Sequence, residues 1–308
     1  MKNIPHAIQY QGSKRNLASE ILRYVPEKVR RFIEPFSGSA AMCVAAAARD
    51  NANSYLINDL NQPLVELLRL IIDRPVDIST FYESLWKEQH NDSIEHYYRV
   101  REDFNRTRDP RLFLYLLARC VKGSVRYNAE GLFNQSPDKR RYGTRPETMR
   151  RNIFGVSALL KGKTDFSSRD FREILLEVEQ SDVVYMDPPY QGVCGDRDSR
   201  YFSGISHDEF VEALHELDSR GIAYLVSYDG RRGGKTFGEP MPDSLELTCV
   251  ELAAGRSTQA TLLGRDEITY ESLYLSRSLM ERMEGKVSGC GLQNTQQYVL
   301  LEPVARYG

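Results

Sequence analysis

The sequence predicts an α/β fold: a mostly parallel sheet with helices on both faces, interrupted by a helical insertion. Three observations carry that expectation. Short apolar or β-branched runs alternate with helical periodicity near both ends of the chain, the pattern of strands joined by crossover helices. Between residues 75 and 161 this alternation stops and helical segments with Gly/Asn/Pro loops take over. The same middle stretch gathers positive charge: residues 97–163 hold 16 Lys and Arg against 6 Asp and Glu, in a 308-residue chain whose net charge is −2.

Taken in order, a helix is expected to begin near Asn16, after the turn Gln11-Gly12-Ser13-Lys14. Strands are expected at 31–34, 55–58, 164–167, 183–186, 223–227 and 246–252, as short β-branched or apolar runs between the helical patterns. Helices are expected at 39–49, 63–73, 169–179 and 207–220, where apolar residues recur at helical spacing. Residues 252–276 have the pattern of a hairpin with a polar tip at Ala254-Gly255-Arg256-Ser257-Thr258, and 298–301 of one more strand. The expected organisation is one catalytic domain from 1–74 and 162–308, with a basic helical domain from 75–161 inserted into it. No run approaches about 18 consecutive apolar residues and no charged leader precedes a hydrophobic stretch, which predicts a soluble, cytoplasmic protein without membrane contact. The five cysteines are scattered without a C-x-x-C pair, which argues against a disulfide framework or a structural zinc.

The most informative motif is Asp187-Pro188-Pro189-Tyr190, at the end of the apolar run Val183-Val184-Tyr185-Met186. A buried strand ending this way presents a carboxylate, a backbone carbonyl and an aromatic face at one point. Adenine's exocyclic amine needs such a set, because its lone pair is delocalised into the ring and the nitrogen is a poor nucleophile. The Asp187 side chain and the Pro188 carbonyl are two acceptors able to hold both N–H groups and favour a localised lone pair. Pro188 and Pro189 have no N–H, and their fixed φ stiffens the turn. Tyr190 supplies a face for a base taken out of the duplex.

A second set of residues suits a nucleotide-like methyl donor. Glu34-Pro35-Phe36-Ser37-Gly38-Ser39-Ala40-Ala41 follows the first expected strand and opens an Ala-rich helix, so small residues let a ligand approach free amides. About twenty residues on, Asp59 ends the second strand, where doubly wound, Rossmann-like sheets place the acid that binds ribose hydroxyls. Asp165-Phe166 ends the third strand and offers an acceptor and a ring to an adenine. Lys14 suits a carboxylate such as that of a methionine moiety. Gly233-Gly234-Lys235-Thr236 looks like the end of a phosphate loop, but the earlier glycine is Asp229 and a loop, not a helix, follows; the ATPase reading is rejected.

One-sign charge concentrated in a single segment, mixed with aromatic and polar loop residues, reads as a nucleic-acid surface. Candidate DNA contacts are Arg119, Lys122, Arg126, Tyr127, Asn128, Lys139, Arg140, Arg141 and Arg145, joined by Arg197, Arg200 and Arg256 outside the segment.

In the order Tyr10-Gln11-Gly12-Ser13-Lys14, Glu34-Pro35-Phe36-Ser37-Gly38, Asn58-Asp59-Leu60-Asn61, basic segment, Asp187-Pro188-Pro189-Tyr190, the chain resembles the Dam-like, class-alpha DNA N6-adenine methyltransferases, of restriction-modification type. Phe104-Asn105 and Arg126-Tyr127-Asn128 also fall in family-like places. The resemblance implies a Rossmann-like catalytic domain, S-adenosylmethionine as donor, an inserted target-recognition domain, double-stranded DNA as substrate and a flipped adenine. A cognate restriction endonuclease acting on the same site is a possible partner, and no metal is implied. By motif match Tyr10, Lys14, Phe36, Gly38 and Asp59 line the donor pocket, with Asp165, Phe166 and Asp187 at its border; Asp187, Pro188, Pro189 and Tyr190 hold the adenine. Two positions depart from the family: Ala40 stands for its second glycine and Ser13 for the glycine before Lys14. Alanine at 40 is harmless unless the backbone there needs positive φ. The rival readings are an N4-cytosine enzyme, which resembles Ser-Pro-Pro-Tyr at this motif, a protein-glutamine methyltransferase, which resembles Asn-Pro-Pro-Tyr, and a non-enzymatic DNA-binding module.

Overall fold

The structure, a computed structural model, describes residues 4–90, 92–189, 205–232, 235–237, 240–256 and 268–284. Five strands run parallel: β1 (Val29–Glu34), β2 (Ala52–Asn58), β3 (Thr164–Ser167), β4 (Val183–Met186) and β5 (Ala223–Arg232). Three more, β6 (Lys235–Phe237), β7 (Thr248–Arg256) and β8 (Ile268–Leu275), are antiparallel additions. The sheet order is β3-β2-β1-β4-β5-β8-β7, with β6 paired to β5. This is a Rossmann-like sheet whose strand order reverses between β1 and β4. Ligands in such sheets bind outside the carboxyl ends of the strands at that reversal.

Strand residues alternate between two cores, as the period of two requires when both faces are covered. Phe32, Tyr55, Ile57, Val183 and Tyr185 join one cluster; Ile33, Leu56, Val184 and Met186 join the other. The second cluster is closed by α8 (Phe171–Leu176) and α9 (His207–Ser219). Ser206 and Glu209 start α9 with a reciprocal capping box, which satisfies amides the helix leaves open. Against the first face pack α1 (Ala18–Ile21), α2 (Ala41–Ala48) and α3 (Gln62–Asp73).

The segment between β2 and β3 is helical, with α4 (Pro75–Glu88), α5 (Ser93–Thr107), α6 (Pro110–Arg119) and α7 (Pro146–Leu160). Prolines open α4, α6 and α7, and Asp92 and Asp109 cap α5 and α6 through their side chains. Its apolar residues belong to the same cluster as α2 and α3 rather than to a core of their own. A last helix, α10 (Arg277–Glu284), follows β8. Among the described residues no helix is long and apolar enough to cross a membrane.

The expected strands and crossover helices are present, with strand ends that differ. β1 and β2 start two and three residues earlier than expected, and β5 runs on to Arg232 because β6 and β8 pair with its extension. Lys235–Phe237 is that short antiparallel strand, so Lys235 and Thr236 open a strand and no phosphate-binding helix. The expected hairpin is β7 and β8; of the tip expected at 254–258, residues 254–256 belong to β7 instead, while 257–267 and the strand expected at 298–301 lie outside the described residues.

Candidate active site

One pocket forms where the carboxyl ends of β1, β2 and β4 meet the turn before α8 and the N-terminal turn. Tyr10–Lys14, Glu34–Ser39, Asn58–Asn61, Val125, Tyr127, Arg169–Phe171 and Asp187–Pro189 line it. Segments separated by more than a hundred residues converge because parallel strands all end on the same edge.

One half of the pocket is built on Gly38 and Asp59. Gly38 has φ +49, and a Cβ there would sit 3.0 Å from the Tyr10 ring, so both the backbone and the space require glycine. The two Asp59 oxygens accept the amides of Gly38 and Asn61, each at 2.9 Å. Burial raises the Asp59 carboxyl against the pull of those amides. Asn58 braces the floor: its side-chain amide donates to the carbonyls of Pro35 and Arg169, and its oxygen accepts the Arg169 amide. Phe36 packs against Phe171 at 5.1 Å between ring centres. The Ser37 hydroxyl is buried and has no hydrogen-bond partner among the described residues.

Glu34, at the end of β1, is fully enclosed and accepts the Cys43 amide at 2.9 Å. Burial pushes its carboxyl up to about 8, with Asp187 a smaller contribution in the same direction. Ala40 has φ +54 and ψ 36. The backbone does require the left-handed region here, and alanine occupies it at a cost of about 1–2 kcal/mol.

The other half lies at the end of β4. Asp187, Pro188 and Pro189 all line the pocket, and the Asp187 side chain is 20 % exposed. Tyr185, two residues earlier, exchanges a buried hydrogen bond with Ser227 of β5. Tyr190, Arg197 and Arg200 lie outside the described residues, as does the side chain of Arg256.

Lys14 lines the pocket, and its ammonium is paired with Asp187 at 3.2 Å and Glu271 at 3.0 Å. Burial pulls that ammonium down, and the two carboxylates outweigh it, holding Lys14 above its usual range. Several expectations need correction. Asp165 and Phe166 do not reach the pocket. Asp165 is exposed on an edge strand, and Phe166 packs half-buried beneath the Arg69 guanidinium of α3. The Asp-Phe pair at the site is Asp170-Phe171, five residues on, where Asp170 caps α8. A second identical dipeptide was visible in the sequence, and it is the turn between β3 and α8 that selects it.

Arg119 is 1 % exposed and cannot touch a phosphate. It donates to the carbonyls of Asp138, Arg141 and Ser93, which a buried guanidinium needs in place of water. Tyr127 is likewise buried, forming pocket wall with its hydroxyl donated to Asn61 at 3.2 Å. The Asn128 oxygen accepts the Leu132 amide and closes a turn at Gly131. Lys122, Arg126, Lys139, Arg140, Arg141 and Arg145 are exposed. Glu34 and Asn61 line the pocket as local neighbours of Phe36 and Asp59, whereas Glu271 meets the pocket residue Lys14 only through the fold.

Residues 10–248 match the family described as D12 class N6 adenine-specific DNA methyltransferase. The chain belongs to this family. It is 27 % identical over 234 residues to the DNA N-6-adenine-methyltransferase of Escherichia phage P1, a match that spans 72 % of this chain and 29 % of the phage protein. It is 28 % identical over 240 residues to the DNA adenine methylase of Serratia marcescens, covering 74 % of this chain and 85 % of that one. It is 25 % identical over 243 residues to the type II methyltransferase M.MjaIII of Methanocaldococcus jannaschii, covering 71 % and 82 %. The family transfers a methyl group to the N6 amine of adenine in DNA, which fits an acceptor half built from Asp187 and two prolines.

Proposed function

We propose that the protein is a site-specific adenine methyltransferase that takes its methyl group from S-adenosylmethionine and acts on a flipped adenine in double-stranded DNA. The observation that carries this reading is the recessed position of Asp187 in the same pocket as Gly38 and Asp59. A carboxylate so enclosed is out of reach of a base still stacked in a duplex, so the base must leave the helix.

The pocket's polar groups fit the donor. Asp59 is a carboxylate at the ribose position of a doubly wound sheet. Phe36 and Phe171 offer ring faces, Asp170 an acceptor, and the buried Ser37 hydroxyl a group that lacks a protein partner. When bound, the donor supplies an electrophilic methyl group on a sulfonium. Asp187 and the Pro188 carbonyl accept the two N–H groups of the adenine amine, which localises its lone pair. As the nitrogen becomes positive during attack, Asp187 stabilises the developing charge. The nitrogen then loses one proton, and no covalent link to the enzyme forms.

The exposed Lys122, Arg126, Lys139, Arg140, Arg141 and Arg145 are proposed to bind DNA, with residues 75–161 as the target-recognition part. Similarity to a type II methyltransferase supports membership of a restriction-modification system, with a separate endonuclease for the same site. The decisive experiment is methylation of duplex DNA by wild type and Asp187→Ala with labelled S-adenosylmethionine. Wild type should yield N6-methyladenine, and the variant should lose about 10²–10³ in rate with donor affinity nearly intact. Retention of a tenth of wild-type turnover would remove Asp187 from the mechanism.

A further inference from the structure

The stretch that matches the family ends at residue 248, yet β8, beyond it, brings a carboxylate onto Lys14 of the pocket wall. Glu271 lies opposite Gly230 of β5 and Leu252 of β7. Its carboxylate is 3.0 Å from Lys14 Nζ, and the same ammonium is 3.2 Å from Asp187. Lys14 is 8 % exposed, so this cation is shared between two anions inside the protein and is not a solvated surface charge. Three elements that are remote in sequence supply the three charges: the N-terminal turn, the end of β4 and the middle of β8.

The backbone is built to bring Glu271 there. β5 and β8 change register at an irregularity between Ser227 and Gly230. A Cβ on Gly230 would lie 2.6 Å from the Tyr270 carbonyl, so β8 approaches β5 more closely than any other residue at 230 allows. A slip of one residue would turn Glu271 to the other face of the sheet.

An ammonium beside one carboxylate and an ammonium between two behave differently. Lysine carries three donors on a flexible stem. Left alone with Asp187, it competes with the adenine amine for the same acceptor. A second carboxylate on the far side holds part of that ammonium away from Asp187. We propose that Glu271 is a positioning residue for methyl transfer: it shares the Lys14 ammonium with Asp187 and thereby preserves the capacity of Asp187 to accept the adenine amine. The inference rests on the assignment of Asp187 as that acceptor.

The test is single-turnover methylation by wild type, E271Q, E271D, K14M and K14M/E271Q, alongside donor and DNA dissociation constants and thermal melts. E271Q should slow the methyl-transfer step about ten-fold or more while both dissociation constants stay within about two-fold, since only the geometry of reacting groups changes. E271D, which keeps the charge on a shorter arm, should recover part of the rate and covers the case in which E271Q does not fold. In the K14M background E271Q should cost nothing further, the signature of a residue acting through its neighbour. E271Q turning over within about two-fold of wild type would overturn the proposal, as would an equal loss with and without Lys14, or, if E271Q does not fold, wild-type rate in E271D. An inactive D187A with a normal E271Q removes only the role of Glu271, whereas an active D187A removes the underlying assignment.

Discussion

Ala40 and Glu34 show how single residues of the donor loop are held under strain or against their ionisation. Ala40 keeps left-handed backbone, with φ +54, at the start of α2, where a glycine would fit without penalty. Ala40→Gly should therefore stabilise the fold by about 1 kcal/mol, the αL cost less the entropy of a freer unfolded chain. Chemical denaturation should show a higher midpoint at unchanged slope. Glu34 has its carboxyl raised to about 8 by burial, above the usual carboxylate range. The folded state thus binds a proton that the unfolded state releases near its ordinary value of 4.5. Its contribution is fully present below pH 4.5 and is lost as pH rises through about 8. Melting temperatures followed across that window should fall less steeply in Glu34→Gln, which keeps an acceptor for the Cys43 amide and cannot ionise.

The segment joining α6 to α7 illustrates the element scale, because residues inside it divide into framework and surface. Arg119 gathers the carbonyls of Asp138 and Arg141 onto the end of α6. Asn105 clamps Phe133 in both directions, accepting its amide at 2.8 Å and donating to its carbonyl at 3.0 Å. Phe104 stacks on Phe113 with ring centres 4.8 Å apart beneath the same loop. The Gly123 carbonyl accepts the Gln11 amide, which ties the loop to the N-terminal turn of the pocket. Basic side chains left over from this framework face solvent. If they meet phosphates, log K for DNA should fall linearly with log salt, and Ala at Lys122, Lys139, Arg140, Arg141 or Arg145 should shallow that slope by about 0.9 per lost contact. A salt titration of each variant on cognate and non-cognate duplexes reads this out. Arg119→Ala should instead weaken binding together with the melting temperature, because it removes a frame. Unchanged slopes in every exposed variant would show the charge to be a solvated face.

At the scale of the molecule, the pocket sits where three strand ends, the starts of α2, α3 and α8 and the N-terminal turn meet, so a ligand there cross-braces the two halves of the chain. Donor binding should stabilise the fold by about 2.7 kcal/mol when S-adenosylmethionine is present at a hundred times its dissociation constant. Asp59→Ala removes a charge-assisted partner and should weaken the donor about ten-fold or more, with a matching loss of that thermal shift. Calorimetry and melting curves, with and without donor, measure both. An unchanged dissociation constant would place the ribose elsewhere than beside Asp59.

The sequence by itself determined the parallel sheet, the two crossover helices at each end, and the turns just past β1, β2 and β4 that carry Gly38, Asp59 and Asp187. These are local statements: a short buried run, its stop, and a residue with special backbone or charge at the stop. Periodicity and turn chemistry act over a few residues, which is why they could be read. Which of two Asp-Phe pairs enters the pocket was settled by the turn that caps α8, and the split of one basic segment into buried Arg119 and exposed Arg126 was settled by α6 packing. Both depend on neighbours far along the chain. So does the pairing of Lys14 with Asp187 and Glu271, residues 173 and 257 positions away: no local pattern marks an ion pair whose members meet only after strands β4 and β8 take their places on either side of β5.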